Sequence, residues 1–411
     1  MAGKTAAHET ADAQKPVVLS ITPVLPVPSP AHAGGQYVWQ LHRALETWAD
    51  PRYLVGRFPS NEGAADQSAL RWTWLGEESA VRPLLVRLST WWSKIDVQHI
   101  YLPAAWDLLR RREVRDEIRR ADVLDFQWAG WTRLAFVRRL NRSARLVMTF
   151  HDVPTQITTR RRLQSTWLID RLRWRVAHAL ARLSERRALQ LADAVVVFSE
   201  KDRLILDPGG RNPRVAVVAP PLGRDALPAR RPPAAPTVLF LSFLARPANA
   251  DALHWLAQEI WPLVTAQRPD ATLRVVGAGL STSAAAELER VPGISYLGFI
   301  DDLESAYEGV TCAVVPLRDG AGVKFKTIEA MLRGIPVVTT TIGAEGIAGA
   351  ERLHGLDDTA EGLASAVLDA LNDPEAAFEA AALTQTWAAE RFGVATFDAA
   401  VRDIYRPLTQ H

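Results

Sequence analysis

The chain has 411 residues, too many for one hydrophobic core, so two domains of ordinary size are expected. Apolar residues at 48% and charged residues at 23% are globular proportions and exclude a disordered or fibrous chain. A formal charge of +2 gives no overall pull toward nucleic acid, and a single cysteine, Cys312, excludes a disulfide framework and a cysteine-rich metal site.

Residues 1–16 read as a polar, alanine-rich tail without the apolar stretch of a secretory signal. No later run approaches the ~18 apolar residues of a membrane span. The expectation is a cytoplasmic protein, held at most on the inner face of a membrane.

A β-branched run at Val17–Ile21 leads through a proline-rich loop, Pro23 to Pro30, to Gly34-Gly35 and a helical pattern at Val38, Leu41 and Leu45. Further strands are expected at Leu146–Phe150, Ala194–Phe198 and Val215–Val218. The proline-rich stretch 228–236 can continue neither a helix nor a central strand and reads as a linker. A second series of strands follows at Thr237–Leu241, Thr272–Val276, Ile294–Leu297, Cys312–Val315 and Pro336–Thr340. Helical patterns alternate with them at Ala250–Gln267, Ala284–Glu289, Leu303–Tyr307 and Phe325–Arg333, and others close the chain at Glu361–Leu371, Ala376–Arg391 and Thr396–Tyr405. Strand–helix alternation of this kind argues for parallel sheets covered by helices. The expected fold is α/β, with two doubly wound Rossmann-like lobes facing across a cleft. We divide the chain into a first lobe at 17–222, a linker at 223–236, a second lobe at 237–384 and C-terminal helices at 385–411 that return to the first lobe.

Pro316 to Met331 is the most informative segment. A strand ends at Pro316, a Gly-x-Gly loop follows at Gly320-Ala321-Gly322, and a helix with an apolar face at Phe325, Ile328 and Leu332 begins. Small residues let backbone N–H groups approach an anion, and a helix N-terminus adds partial positive charge. Glu329 lies about 9 Å along that helix at 1.5 Å per residue. A diphosphate at the loop would bring a nucleoside ribose to its carboxylate, with Lys326 one turn nearer the phosphates. The bland alternative is a surface Lys326–Glu329 pair on an ordinary helix.

The stretch Gly320 to Gly346 carries the Gly-x-Gly loop, Lys326, Glu329-Ala330-Met331, Gly334, Pro336-Val337-Val338 and Gly343-Ala344-Glu345-Gly346. It resembles the group 1 (family 4) retaining glycosyltransferases of the GT-B fold. Supporting similarities lie at Ala192–Glu200, Val217–Pro221, Thr149–Asp152 and Gly298–Asp301. The resemblance is dense in the second lobe and sparse before residue 145. It implies that the first lobe binds an acceptor and the second a nucleotide-sugar donor. By position, Glu329 binds the ribose, and Gly320, Ala321, Gly322, Val323 and Lys324 meet the diphosphate and donor sugar. Phe299 joins the donor site, Gly34 and Gly35 close over the phosphates, and His151 faces the donor sugar. Two departures stand out: Ala321 occupies a place where many members carry a glutamate, and Phe243 stands where they carry an arginine. Arg246, Lys324 or Lys326 would then meet the leaving diphosphate, with Lys326 dominant.

His151 follows a strand end, where side chains point into the cleft, and its imidazole can hydrogen-bond a sugar hydroxyl or stabilise charge. The alternative is a plain turn in which Asp152 caps the next segment. Val275 to Thr282 begins like a dinucleotide fingerprint, but Thr282 stands at the third glycine position. Asp301-Asp302 reads as helix-capping chemistry. No Asp-x-Asp occurs, and no metal is expected.

Arg160 to Arg187 holds nine arginines and two acidic residues, with Leu163, Trp167, Leu168, Leu172, Val176, Leu180 and Leu183 at helical spacing. Either a solvated helix face or peripheral contact with anionic lipid fits this pattern. Eleven of the fourteen tryptophans precede residue 176, including Trp91, Trp92, Trp128 and Trp131. Packing is the ordinary role for them, and stacking on an acceptor the functional one.

The function expected is metal-independent transfer of a hexosyl group from a nucleoside-diphosphate sugar to a hydroxyl acceptor, with retained configuration. That acceptor is a glycan, a lipid-linked glycan or a small molecule. No cofactor is expected, since the nucleotide sugar is a co-substrate, and no nucleic acid. A non-catalytic nucleotide-sugar-binding or partner protein of the same fold, and a nicotinamide-dependent oxidoreductase, are the alternatives.

Overall fold

A computed structural model describes residues 15–28, 33–67, 70–77, 81–96, 98–222, 228 and 230–410. Most of the expected N-terminal tail, the end of the loop after the first strand and part of the expected linker lie outside the described residues.

The first lobe is a seven-stranded parallel sheet of β1 (Val17–Thr22), β2 (Asp50–Gly56), β3 (Trp72–Leu75), β4 (Val123–Gln127), β5 (Arg145–Phe150), β6 (Ala194–Val197) and β7 (Val215–Val217), in the order β3-β2-β1-β4-β5-β6-β7. The second is a six-stranded parallel sheet of β8 (Thr237–Leu241), β9 (Thr272–Val276), β10 (Ile294–Gly298), β11 (Cys312–Val315), β12 (Val337–Thr339) and β13 (Gly355–Leu356), in the order β10-β9-β8-β11-β12-β13. Helices cover both faces of each sheet, so all six residues of a central strand such as β1 are buried and its apolar residues do not alternate with exposed ones. Both sheets reverse direction of construction next to their first strand, between β1 and β4 and between β8 and β11. In doubly wound sheets a ligand crevice opens beyond the carboxyl ends of the strands at that switch.

The two α/β lobes match the expected fold class. β2, β3, β4 and the two-residue β13 are strands that the sequence pattern does not reveal. The expected helix at 250–267 runs from Pro247 to Thr265 but contains a π turn at Leu256–Ile260. Pro262, which has no N–H to give, lies two residues beyond that turn. The amphipathic stretch 160–187 is not one helix. It is broken between Pro154–Gln164 and Leu168–Leu191, because Ser165 and Trp167 take extended backbone angles. The Arg171 Nε–H bonds the Ser165 carbonyl at 2.8 Å and closes the bend.

The Pro374–Phe392 helix packs on the second lobe, where the Gln385 Nε2–H bonds the Leu332 carbonyl at 3.0 Å. It runs unbroken past position 385 and stops at Gly393. The following Val394–Tyr405 helix joins the core of the first lobe, with Phe397, Val401 and Tyr405 buried beside Tyr37, Val38 and Leu41. The Tyr405 hydroxyl donates to Asp125 Oδ1 at 3.1 Å, 280 residues away in sequence.

Candidate functional site

Each piece of the site stands at a strand's carboxyl end. After β11 the chain turns through Gly320 and Gly322, both at positive φ (134° and 74°). Gly322 packs so closely on the first lobe that a Cβ there would overlap the Asp152 carboxylate. Loop and His151-Asp152 therefore meet across the cleft, and glycine is the residue that allows the contact. Lys324 stands just outside the helix that follows. It is the capping residue, at φ −93° and ψ 93°, before the Phe325–Leu332 helix. Its Nζ folds back to donate to the carbonyls of Gly322 (2.7 Å) and Ala321 (3.1 Å).

Lys326 points the other way, to the end of β8. Its Nζ donates to Asn249 Oδ1 at 3.0 Å and to the Ser242 hydroxyl. Asn249 is itself oriented by its Nδ2–H on the Phe243 carbonyl at 2.7 Å. Burial, with the charges of Lys324 and Arg246 adding to it and Glu329 opposing, brings the Lys326 ammonium down to about 7. Burial lowers Lys324 as well, against the pull of Glu345. Across the cleft, burial raises the Asp152 carboxyl to about 7, although Lys324, Lys201 and Arg246 all favour its charged form. The site thus gathers Lys324, Lys326 and Arg246 beside the carboxyls of Asp152, Glu329 and Glu345. Burial makes the charges of Lys324, Lys326 and Asp152 costly to hold.

His151 is buried at the end of β5 in an aromatic sleeve. Trp128 stacks on it at 3.6 Å and 9°, and Tyr37 and Phe198 meet its edges at 5.1 and 4.9 Å. Trp128 has a positive φ of 67°, alone among described non-glycine residues, so that backbone is strained where it covers the imidazole. Below the ring, Gln127 Nε2 donates to Asp125 Oδ1 and Oδ2 at 2.9 and 2.8 Å. The Gln127 carbonyl oxygen therefore faces His151 Nε2 at 3.0 Å, which makes Nε2 the protonated nitrogen. Asp125 also receives the Ser20 hydroxyl at 2.7 Å, and burial raises its carboxyl to about 6. Asp152 does not cap the next helix, whose capping residue is Val153 with no side-chain cap.

Glu329 lies one turn beyond Lys326, where its charge acts on both Lys326 and Tyr307. Val323 packs among the apolar residues of both lobes. Arg246 is exposed at the start of the Pro247–Trp255 helix, close enough to act electrostatically on Lys326 and Asp152. Gly34 and Gly35 lie in the first turn of the Ala33–Glu46 helix, just before Tyr37. Phe299 is 70% exposed at the carboxyl end of β10, and Phe243 is exposed beyond β8. The glycines of the dinucleotide-like turn have a packing role: a Cβ on Gly277 would overlap the Ser242 carbonyl, and one on Gly279 the backbone of Ala245. Asp302 caps the Leu303–Tyr307 helix through Glu304 N at 3.0 Å. Ser242, Asn249, Asp125, Gln127 and Glu345 carry no role in the sequence reading. Among the described residues, no three His, Cys, Asp or Glu side chains gather to hold a metal ion.

Residues 235–373 match the family model described as "Glycosyl transferases group 1". A Klebsiella pneumoniae protein described as "Uncharacterized 44.6 kDa protein in cps region" is 32% identical over 117 residues. The match covers 26% of this chain and 30% of that curated relative. Among solved structures, the chain is similar to Anabaena HepE in complex with UDP and glucose, at a TM-score of 0.64 and 16% identity, over 95% of this chain and 99% of that one. It is also similar to the sucrose-phosphate synthase of Thermosynechococcus elongatus, at a TM-score of 0.63 and 17% identity, over 96% and 99%. The group 1 glycosyl transferase model thus matches the second lobe, and the two lobes together share the GT-B fold of these solved structures.

Proposed function

We propose that the protein transfers a hexosyl group from a nucleoside-diphosphate sugar to a hydroxyl acceptor, with retention and without a metal ion. The observation that carries the reading is Lys326, partly desolvated and held near neutrality between the end of β8 and the glycine loop after β11. A diphosphate lying on Gly320–Gly322 would meet Lys326, Lys324 and Arg246, and the N-terminus of the Phe325–Leu332 helix. Glu329 would accept the ribose hydroxyls, which one turn of helix brings into reach. His151, with its tautomer set by Gln127, would face the sugar from the first lobe, where the acceptor enters.

In the reaction, the bond from the anomeric carbon to the diphosphate oxygen breaks. The acceptor oxygen bonds that carbon on the same face, and the hydroxyl proton passes to the departing diphosphate. No carboxylate nucleophile is needed. Lys324, Lys326 and Arg246 stabilise the negative charge that grows on the leaving group. Closure of the two lobes would hold donor and acceptor together and exclude water.

The deciding experiment incubates the protein and candidate acceptors with a panel of nucleotide sugars, UDP-glucose first, because HepE was solved with UDP and glucose. Transfer in the presence of EDTA, with the anomeric configuration of the product read by NMR, is expected. Turnover that stops with EDTA and returns with Mg²⁺ or Mn²⁺ would overturn the metal-free part, and an inverted product the retaining part. Donor binding without transfer would leave a binding protein, a reading favoured by Ala321 and Phe243 at two places where the family resemblance implies charged residues.

A further inference from the structure

The Leu168–Leu191 helix packs on the molecule chiefly through small residues and Glu185 and turns four large apolar residues outward. Ala177, Ala181, Ser184 and Ala188 are buried. Leu168, Leu172, Val176 and Leu183 are 79%, 62%, 45% and 48% exposed. At about 100° per residue, these four form one row roughly 145° round the helix from the buried alanines. Exposed Arg171, Arg175, Arg182 and Arg186 form a second row beside it. An amphipathic helix ordinarily spends its apolar face on the core. Here that face is spent on nothing within the fold.

The apolar row continues at both ends. Around the bend, Leu163 and Trp167 before the helix and Ile169 in its first turn are all more than 70% exposed. Toward its other end a cavity of about 780 Å³ opens, walled by Leu180, Leu183, Phe136 and Met148 and rimmed by Arg139, Arg142 and Arg187. Trp92 lines the same cavity, and on its helix Leu84, Leu88 and Trp91 are again exposed.

We propose that this face docks on an anionic phospholipid bilayer. The helix is about 36 Å long, and its bulky side chains stand on a ridge rather than in a pocket. A ridge suits a planar fluid surface into which side chains sink, more than a rigid partner that must supply a matching groove. The adjoining arginines have long apolar stems and cationic heads, which suit the headgroup zone of anionic lipid. A second copy fits poorly, because an antiparallel two-fold contact along the ridge would bring two arginine rows together. The helix before the bend carries Gln156 and Arg160 to the cleft, so docking would place the cleft mouth near the lipid surface.

The test is co-sedimentation of the full chain with vesicles, read as binding and not as sugar transfer. Vesicles of phosphatidylcholine alone are compared with roughly one part phosphatidylglycerol to two parts phosphatidylcholine. Binding to the anionic vesicles, weakened by salt, is expected. The triple variant Leu168→Ser, Leu172→Ser, Val176→Ser should bind at least about tenfold more weakly, and Arg175→Glu with Arg186→Glu should lose the preference for anionic lipid. All substituted side chains are exposed, and an unchanged melting temperature checks the fold. Absence of binding to anionic vesicles, or unchanged binding by the serine variant, would overturn the proposal. So would a dimer in sedimentation equilibrium that the serine variant abolishes while vesicles leave the parent in solution.

Discussion

Arg160 of the first lobe reaches Glu345 of the second, its Nη1 3.0 Å from Oε2 and its Nη2 bonded to Oε1. Arg160 also donates to the Gly320 carbonyl, in the loop proposed to meet the diphosphate. Lys201 and Lys324 approach the same carboxylate at 3.4 and 3.6 Å, and Gln156 Nε2 donates to it at 2.5 Å. Burial alone would raise the Glu345 carboxyl, but the Arg160 hydrogen bond and the nearby lysines hold it below the usual range. One half-buried anion therefore holds together side chains from both lobes and the glycine loop.

Glu345→Gln should leave each lobe folded and loosen their closure, because Arg160, Lys201 and Lys324 then lose the carboxylate they share. A charge-assisted bond contributes ~1.5–3 kcal/mol, so turnover should fall about tenfold or more. The radius of gyration in solution scattering should also rise. A variant with unchanged scattering and turnover would show that Glu345 does not hold the lobes.

Glu329→Gln tests the donor site. The substitution removes a charged acceptor at the flank of a helix but keeps its size. Donor affinity, measured by calorimetry, should drop at least about tenfold with the melting temperature unchanged. Unchanged affinity in the folded variant would remove Glu329 from ribose binding.

Glu185 gives a prediction on stability alone. It is buried under the first turn of the Pro154–Gln164 helix, accepting Thr155 N–H at 2.9 Å, and burial raises its carboxyl to about 7. The folded state thus holds a proton that the unfolded state has released between pH 4.5 and about 7. Stability falls as pH rises through that window, and the cost is complete above it. Glu185→Gln keeps an accepting oxygen and removes the cost, so it should raise the melting temperature at pH 8 by a few degrees, on the order of 1–2 kcal/mol. At pH 4 the gain should vanish. An equal shift at both pH values would mean that the carboxyl does not titrate as described.

How much of this was legible in the sequence depends on who supplies each residue's neighbours. β1, β5 and β11 are mostly apolar runs buried on both faces, and their pattern is local. β4 hides because Asp125 and Gln127 interrupt it; both are polar in the core, and together they orient His151. β2 opens on Asp50-Pro51-Arg52, which reads as a turn. The glycine loop and Glu329 lie within ten residues of one another, so spacing alone brings them together. Ser242 and Asn249 meet Lys326 from 84 and 77 residues away, and Gln156 meets Glu345 from 189. Spacing carries no trace of such partners. The basic amphipathic stretch was visible, but the bend at Ser165 and the outward turn of the leucines were not, since periodicity shows that a face exists and not what it meets.

Lys326 joins the electrostatics to the reaction. Its ammonium titrates at about 7, chiefly because it is buried. An incoming diphosphate favours the charged form, so its pKa in the complex rises and binding takes up a proton. Donor affinity should therefore be steady below pH 7 and weaken as pH rises through 7, by up to tenfold per pH unit until the pKa of the complex is reached. Asp152 also titrates at about 7 and adds in the same direction, since its negative charge above that pH faces the incoming anion. Lys326→Arg, which stays charged at every accessible pH, should flatten the part of this profile that belongs to Lys326. The fork of arginine does not fit the Ser242–Asn249 pair as an ammonium does, so affinity at pH 7 need not recover. Lys326→Ala should lower turnover at saturating donor more than it lowers donor affinity, because charge on the diphosphate grows as the sugar departs. Equal turnover of Lys326→Ala and the parent at saturating donor would shift the role to Lys324 or Arg246. A profile of donor affinity that is flat from pH 6 to 9 in the parent would show that neither Lys326 nor Asp152 titrates as the geometry requires.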